Sequence, residues 1–378
     1  MKHYHYIFTG AGLSALMTVY EMVLSGKFSN KTILLIDQNA KKTNDRTWCF
    51  WDDRSKYDDL VFKKWHRALF KNQQFKREML LDPDSYQMIK GVDFYKFIFD
   101  VISKAPNVTF LQQQVLNFQE TDAQCIVKTT NQNFTCDTIV NSIYNSDIVA
   151  AQSQYPLIQQ HFIGWFIKSK IPVFNAECAT FMDFSIEQKG NTRFMYVLPM
   201  SENEALIEYT LFSKELLLIE EYENGIRDYI LSLGISDYEI TEKEKGSIPM
   251  TSYPFWKHNT KNIINIGSAG GWTKASTGYT FKNSIKKSKA LVQFLCSGKD
   301  LKLFHRKNKF WWYDLLLLDI LAERNESGAA IFSSLFEKGN PSLIFRFLDE
   351  ETSFAEDLQV ILKCPKRLFI KALLKRFF

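Results

Sequence analysis

Apolar and polar positions follow three different periods along this chain. The first is the short apolar run. Tyr6 to Thr9 is one, and "TILLIDQ", ending at Asp37 and Gln38, is another. Between them Leu13, Leu16, Met17, Val19, Tyr20 and Val23 recur at mostly helical spacing. The segment therefore reads as strand, helix, buried strand. Val92 to Ala105 has a helical pattern, and "VTFLQQQVLNFQ" and "FTCDTIVNSI" read as strands. From about Gln159 strand patterns dominate in "HFIGWFIKS", "ATFMDF", "RFMYVLPM" and "EALIEYTLF", which predicts an antiparallel sheet. "KELLLIEEYENGIRDYILSLG" is an amphipathic helix closed by Gly234, and "EKGSIPMTSYPF" is a strand broken by Pro249 and Pro254. "NIINIG" is a further buried strand, followed by a glycine-rich loop and a helix containing Ser284 to Leu295. From Gly298 onward the pattern is helical, and Asp314 and Asp319 mark "FWWYDLLLLDILAE" as a buried helix.

In "EALIEYTLF", counting by twos puts Glu204, Leu206, Glu208 and Thr210 on one face. Ala205, Ile207, Tyr209 and Leu211 take the other. By alternation alone this is a half-buried strand with its polar face in water.

The first strand and helix are joined by G-x-G-x-x-A, carried by Gly10, Gly12 and Ala15. Gly10 permits a tight turn, Gly12 lets backbone approach a pyrophosphate, and Ala15 lets helix and strand pack closely. Leu13 and Ser14 open the helix, whose free N–H groups favour phosphate. Asp37, ending the next strand, is placed to accept hydrogen bonds from ribose hydroxyls. These residues alone leave FAD and NAD open; a motif so early in a long chain leans toward FAD. The later strand, loop and helix around Gly267, Ser268, Gly278 and Tyr279 look like the chain returning to the nucleotide. Around Arg46, the stretch "NDRTWCFWDD" is too aromatic for a simple surface loop, so Trp48 and Trp51 are candidate pocket walls.

Length changes the picture toward more than one substructure, because 378 residues exceed what a single core usually supports. The divisions expected are a nucleotide-binding part at 1–150 with excursions toward the substrate side, a sheet-rich substrate part at 151–258, a return at 259–297, and a helical region at 298–378. The 32 Phe, 16 Tyr and 8 Trp suit an apolar pocket able to face a cation. A net charge of +5 is too mild to argue for nucleic acid. The six cysteines lack C-x-x-C or metal-ligand spacing, so reduced thiols of an intracellular protein, and no metal, are expected. No signal or transit segment is expected ahead of the first motif. No run of about 18 uncharged apolar residues occurs. The basic amphipathic tail "PKRLFIKALLKRFF", with Lys366, Arg367, Lys371, Lys375 and Arg376, is expected to lie on an anionic membrane surface.

These segments together resemble the bacterial lycopene β-cyclases, a flavoprotein family. The likeness runs from Tyr6 to the region of Phe354. It rests on "FTGAGLSAL", "NDRTWCFW", "MYVLPMSENEALIEYT", "GSIPM", "RFLDEETSF" and, most specifically, "IGSAGGWTKASTGYTFKNS". It implies an α/β fold: a Rossmann-like FAD-binding domain, an inserted antiparallel-sheet substrate domain and a helical C-terminal part, as in flavoprotein monooxygenases. It implies acid–base closure of β-ionone rings on an acyclic carotene, with reduced FAD, NAD(P)H as reductant and no net redox change. The family's strand motif places its acid on Glu208. Tyr209 stands where relatives usually show a second acid, and Ser268 where many flavoproteins have Asp. Tyr196, Tyr209 and Trp272 join Trp48 and Trp51 as expected pocket residues. A monooxygenase or prenyl reductase on the same fold, or a non-catalytic carotenoid-binding flavoprotein, are the rival expectations.

Overall fold

The computed structural model describes residues 1–53 and 57–377. Its first sheet is built on Lys2–Thr9, which lies parallel to Ile33–Asp37 on one side and Asn133–Asn141 on the other. Val108–Gln112 extends it beyond Ile33–Asp37, and the short strand Ile263–Asn265 joins parallel to Asn133–Asn141. The antiparallel strands Val115–Glu120 and Cys125–Thr129 complete this sheet among the described residues. Parallel strands buried on both faces account for the unbroken apolar runs seen in the sequence. Helix Leu13–Ser25 packs on helix Phe281–Cys296 through small polar residues. Ser14 Oγ meets Ser284 Oγ at 2.8 Å, and Thr18 Oγ1 donates to Ser288 Oγ at 3.0 Å. The late segment thus returns to the N-terminal one, and both helix N-termini face the same side.

The second sheet runs Tyr238–Met250, Ile158–Ser169, Glu204–Ser213, Thr192–Pro199, Cys178–Asp183, Arg67–Lys71, Lys76–Leu80. Its last hairpin comes from the N-terminal segment, and only the Cys178–Asp183 and Arg67–Lys71 pair is parallel. A small third sheet of Thr47–Asp52, Ser85–Lys90 and Lys63–Trp65 bridges the two. Pro249 does not break its strand as expected. Tyr238–Met250 is an edge strand, where a missing N–H is tolerated.

The two faces of the second sheet bury different things. One face packs Ile207, Tyr209 and Leu211 against helix Ile219–Ser232. The other carries Phe194, Leu206 and Phe212 toward helices Gly328–Lys338 and Pro341–Leu348. The terminal helix Lys366–Phe377 docks on Lys309–Glu323 through Leu368, Phe369 and Ala372. Arg376 Nε donates to Asp319 at 2.7 Å, and Lys375 pairs with Glu323. Two of the five basic residues expected on a membrane-facing surface are therefore spent within the chain. Ile370, Leu373, Leu374 and Phe377 stay exposed, and Phe378 lies outside the described residues. Among the described residues no helix is long and apolar enough to cross a membrane.

Candidate active site

A cavity of about 790 Å³ runs between the two large sheets. One end is a polar groove at the C-terminal edge of the parallel strands. Gly10, Gly12, Leu13, Ser14, Asp37, Arg46, Gly267 and Ser268 line it. The other end is a chamber walled by Phe181, Phe194, Phe212, Phe332, Phe336 and Phe345. Gly278, Tyr279, Trp48, Trp51, Tyr196 and Glu208 also line the cavity.

The groove fits a dinucleotide on its own geometry. Gly12 caps helix Leu13–Ser25 with no side-chain hydrogen bond, so its first N–H groups are free of a side-chain cap. A Cβ built on Gly12 meets no atom within 4 Å, so a side chain there would fill the cradle. Ala15 is fully buried behind it and serves the packing, not the wall. Asp37 is held by Ala11 N–H on Oδ2 at 2.7 Å and by Asn39 N–H on Oδ1 at 2.8 Å. Lys41 Nζ lies 3.3 Å from Oδ2. Thr277 Oγ1 and Gln160 Oε1 are buried on the cavity wall without a hydrogen-bond partner among the described residues.

Glu208 sits where groove and chamber meet. It is 7% exposed, and its Oε1 accepts a hydrogen bond from Thr210 Oγ1. Leu206, Glu208, Thr210 and Phe212 all line the cavity, so the "polar" face of this strand is the cavity face. Burial, and then the negative charge of Glu244, push the Glu208 carboxyl well above the ordinary glutamate range. Both causes favour the protonated form of this carboxyl. Glu244 is also raised, first by burial, against the lowering effect of a hydrogen bond from Thr47 Oγ1 at 3.0 Å.

A cluster of phenols lines the cavity beside Tyr196, the cross-strand neighbour of Glu208. Tyr86 Oη lies 2.6 Å from Tyr196 Oη and 3.1 Å from Tyr279 Oη. Burial raises all three phenols, so they stay protonated. The Cys49 thiol beside them is pushed up to about 12 by burial, which makes it inert as a nucleophile. Trp51 stacks on Phe345 with centroids 4.6 Å apart and donates Nε1–H to Asp349 at 2.8 Å. It therefore pins a chamber wall in place.

Two expected pocket residues lie elsewhere. Tyr209 is on the opposite face, where Arg193 Nη1 donates to its hydroxyl at 2.8 Å. Strand alternation next to an inward Glu208 requires this. Trp272 is 1% exposed and packs in the core beside Phe304, off the cavity wall. Its loop curls through Trp272 N–H to Gly267 O at 2.8 Å, which turns the indole away. Sequence reasoning missed Glu244, Tyr86 and Gln160. For Glu244 the available signal was an acid just ahead of "GSIPM"; Tyr86 and Gln160 carried none.

A family model described as "Lycopene cyclase protein" matches residues 6–374. No curated protein sequence matches the chain. Among solved structures, the chain is similar to a flavoprotein/dehydrogenase from Cytophaga hutchinsonii. The TM-score is 0.64 at 11% identity, covering 99% of this chain and 100% of that one. It is also similar to a geranylgeranyl bacteriochlorophyll reductase-like protein from Thermoplasma acidophilum, with TM-score 0.59, 11% identity and coverage of 100% and 97%. A p-nitrophenol 4-monooxygenase from Pseudomonas putida gives TM-score 0.60 at 9% identity, with coverage of 100% and 98%. At these identities the likeness establishes a shared architecture, that of the FAD-dependent monooxygenase-like flavoproteins. With the family match spanning nearly all of its length, the chain belongs to the lycopene cyclase family.

Proposed function

We propose that this protein is a lycopene β-cyclase, closing the ψ end groups of lycopene into β-ionone rings by way of γ-carotene to β-carotene. The observation that carries this reading is Glu208. Its carboxyl is buried on the cavity wall at the mouth of an aromatic chamber, and that burial raises it well above the ordinary glutamate range. An acid in that state donates to a carbon–carbon double bond more readily than a solvated carboxylate would. In the proposed reaction the Glu208 O–H bond breaks and a C–H bond forms at the terminal double bond. The neighbouring double bond then attacks the tertiary cation, closing the ring. Loss of a ring proton ends the sequence with no change in mass or oxidation level. The phenyl rings of Phe194, Phe212 and Phe345 present π faces to a cation and exclude water that would quench it.

The groove is proposed to hold FAD. The N–H groups of Leu13 and Ser14 would meet its pyrophosphate and Asp37 its ribose. Arg46, Gly267, Ser268, Gly278 and Tyr279 would line its remaining length, and Trp48, Trp51 and Tyr196 the substrate side. Bound there in its reduced form, with NAD(P)H as electron source, FAD would supply electron density to a cationic transition state without net oxidation. The hydrocarbon substrate dissolves in membranes, so a cytoplasmic protein working at the membrane surface is proposed. The exposed Ile370, Leu373, Leu374 and Phe377, with Lys366, Arg367 and Lys371 nearby in sequence, support that contact.

Expression in a lycopene-accumulating host, followed by pigment chromatography and mass measurement, tests the reading. Cyclic carotene of unchanged mass is expected. Unchanged lycopene, or a product heavier by oxygen or by hydrogen, would refute it.

A further inference from the structure

One row of residues crosses the second sheet at right angles to its strands. Tyr196 pairs with Glu208, Glu208 with Gly164, and Gly164 with Glu244. Two glutamates thus flank a glycine on the cavity face. Their Cα atoms are separated by two strand spacings, about 9–10 Å. Side chains leaning toward each other close that gap only when nothing stands between them. Gly164 provides this opening. A Cβ there would lie 3.2 Å from Glu244 Cγ, 3.5 Å from Glu208 Cβ and 2.8 Å from Leu206 Cδ1.

We propose that Glu208 and Glu244 hold one proton between them, with Glu208 as its carrier and Glu244 as the partner that keeps it there. This rests on the reading of the chamber as a carotene site. Two facts decide which residue carries the proton. Glu208 is buried whereas Glu244 is half-buried, so charge costs more on Glu208. Glu244 also accepts the Thr47 hydroxyl on Oε2, which suits a carboxylate. Other ionisable groups near the pair are Glu242 on the strand of Glu244, Cys49 and Tyr196 from neighbouring strands, and Tyr279 from the loop after Gly278. Burial keeps the thiol and both phenols protonated, and Glu242 accepts a hydrogen bond from Asn44 at 3.0 Å.

The pair does two things that a lone acid does not. Before reaction, negative charge on Glu244 favours keeping the shared proton on Glu208. After donation, the pair carries two negative charges facing one carbocation. That arrangement stabilises the cation. Two adjacent carboxylates resist joint ionisation, so the pair also readily takes back a proton. The proton leaving the ring carbon returns to Glu208, the C–H electron pair becomes the ring double bond, and the site is reset with no electrons gained or lost.

The test uses the full-length flavoprotein and the variants Glu244→Gln, Glu244→Asp and Gly164→Ala, the last inserting a methyl group between the carboxyls. Difference infrared spectroscopy follows the C=O band of the protonated carboxyl against pH, with Glu208→Gln to assign it. In Glu244→Gln the band is expected to titrate away at lower pH than in the wild type, because the amide has no charge and offers an N–H to the carboxylate. Ring formation at neutral pH should fall roughly 100-fold in kcat with KM unchanged, and recover as pH is lowered. Glu244→Asp keeps the charge and should recover more than Glu244→Gln; Gly164→Ala should shift the titration in the same direction as Glu244→Gln. A Glu244→Gln or Gly164→Ala protein with the wild-type titration and pH–rate profile would overturn the pair. If the wild type closes no ring, the carotene reading fails, while the infrared titration still decides whether the two glutamates share a proton.

Discussion

Glu208 and Tyr209 are neighbours in sequence and face opposite sides of one strand, so conservative changes at the two should have opposite signatures. Tyr209→Phe removes only a hydroxyl. Its partner, Arg193, is 2% exposed and keeps Asn191 Oδ1 on Nε at 2.7 Å and Glu221 Oε1 on Nη1 at 3.1 Å. A hydrogen bond involving a buried charge contributes about 1.5–3 kcal/mol. Unfolding entropy for a chain of this length is about 0.8 kcal/mol per kelvin, so Tm should fall by roughly 2–4 °C. The Tyr209 ring, packed under Gly225 of helix Ile219–Ser232, should stay in place, and ring formation should continue at the wild-type rate. Glu208→Gln is nearly isosteric and keeps an acceptor for Thr210. Its Tm should not fall, while ring formation should drop by roughly 100- to 10,000-fold. Thermal scans and pigment chromatography on both variants read the four outcomes. Loss of ring formation in Tyr209→Phe at unchanged Tm would place Tyr209 on the cavity face and refute the assignment of faces.

Stability should depend on pH through the same carboxyls. Both Glu208 and Glu244 are raised when folded, so their contribution is fully present below the ordinary glutamate value of 4.5 and is lost as pH rises through the raised values. Tm should fall across that window in the wild type and vary less in a Glu208→Gln, Glu244→Gln double variant. Gly12→Val should leave the fold intact and remove bound flavin from the purified protein, because its side chain enters open space in the cradle; yellow protein with unchanged flavin absorbance would count against the groove. Replacing Ile370, Leu374 and Phe377 with Ser should reduce sedimentation with anionic vesicles, whereas Lys375→Ala should lower Tm slightly and leave vesicle binding unchanged.

Period and glycine spacing made much of the fold legible. The strand, helix and strand around Gly10 and Gly12 lie where the pattern put them, because local backbone demands leave few residues to choose from. The alternation in Glu204–Ser213 likewise separated its two faces correctly. It could not say which face met water, since a cavity wall and a solvated surface both accept polar side chains. Tertiary placement supplied that. Glu244 illustrates the same limit more sharply. "YEITEKEKGSIPM" alternates charges as an exposed edge strand does, and most of its charges are exposed. Only the register that sets Gly164 between Glu208 and Glu244 reveals that one of those acids reaches the cavity. Trp272 fails in the opposite direction. An indole in a glycine-rich loop beside a nucleotide site suggests a wall, yet backbone hydrogen bonds turn it into the core.

The solved structures that share this architecture are named as a reductase-like protein, a monooxygenase and a dehydrogenase, so the scaffold does not dictate the reaction. In this chain it encloses a phenylalanine-lined chamber between a sheet and C-terminal helices. Such a chamber penalises charge, so a carboxyl fully buried on the inward face of the sheet is pushed toward its protonated form. The strand Glu204–Ser213 supplies one at Glu208. The strand Ile158–Ser169 leaves out a side chain at Gly164, which lets a second acid approach from the edge. The acid–base chemistry proposed for this chain thus rests on three positions in one transverse row. This also explains the tolerance for Tyr209. An acid at 209 would face Arg193 and helix Ile219–Ser232, away from the cavity, and a phenol that accepts the same guanidinium hydrogen bond fills that structural place.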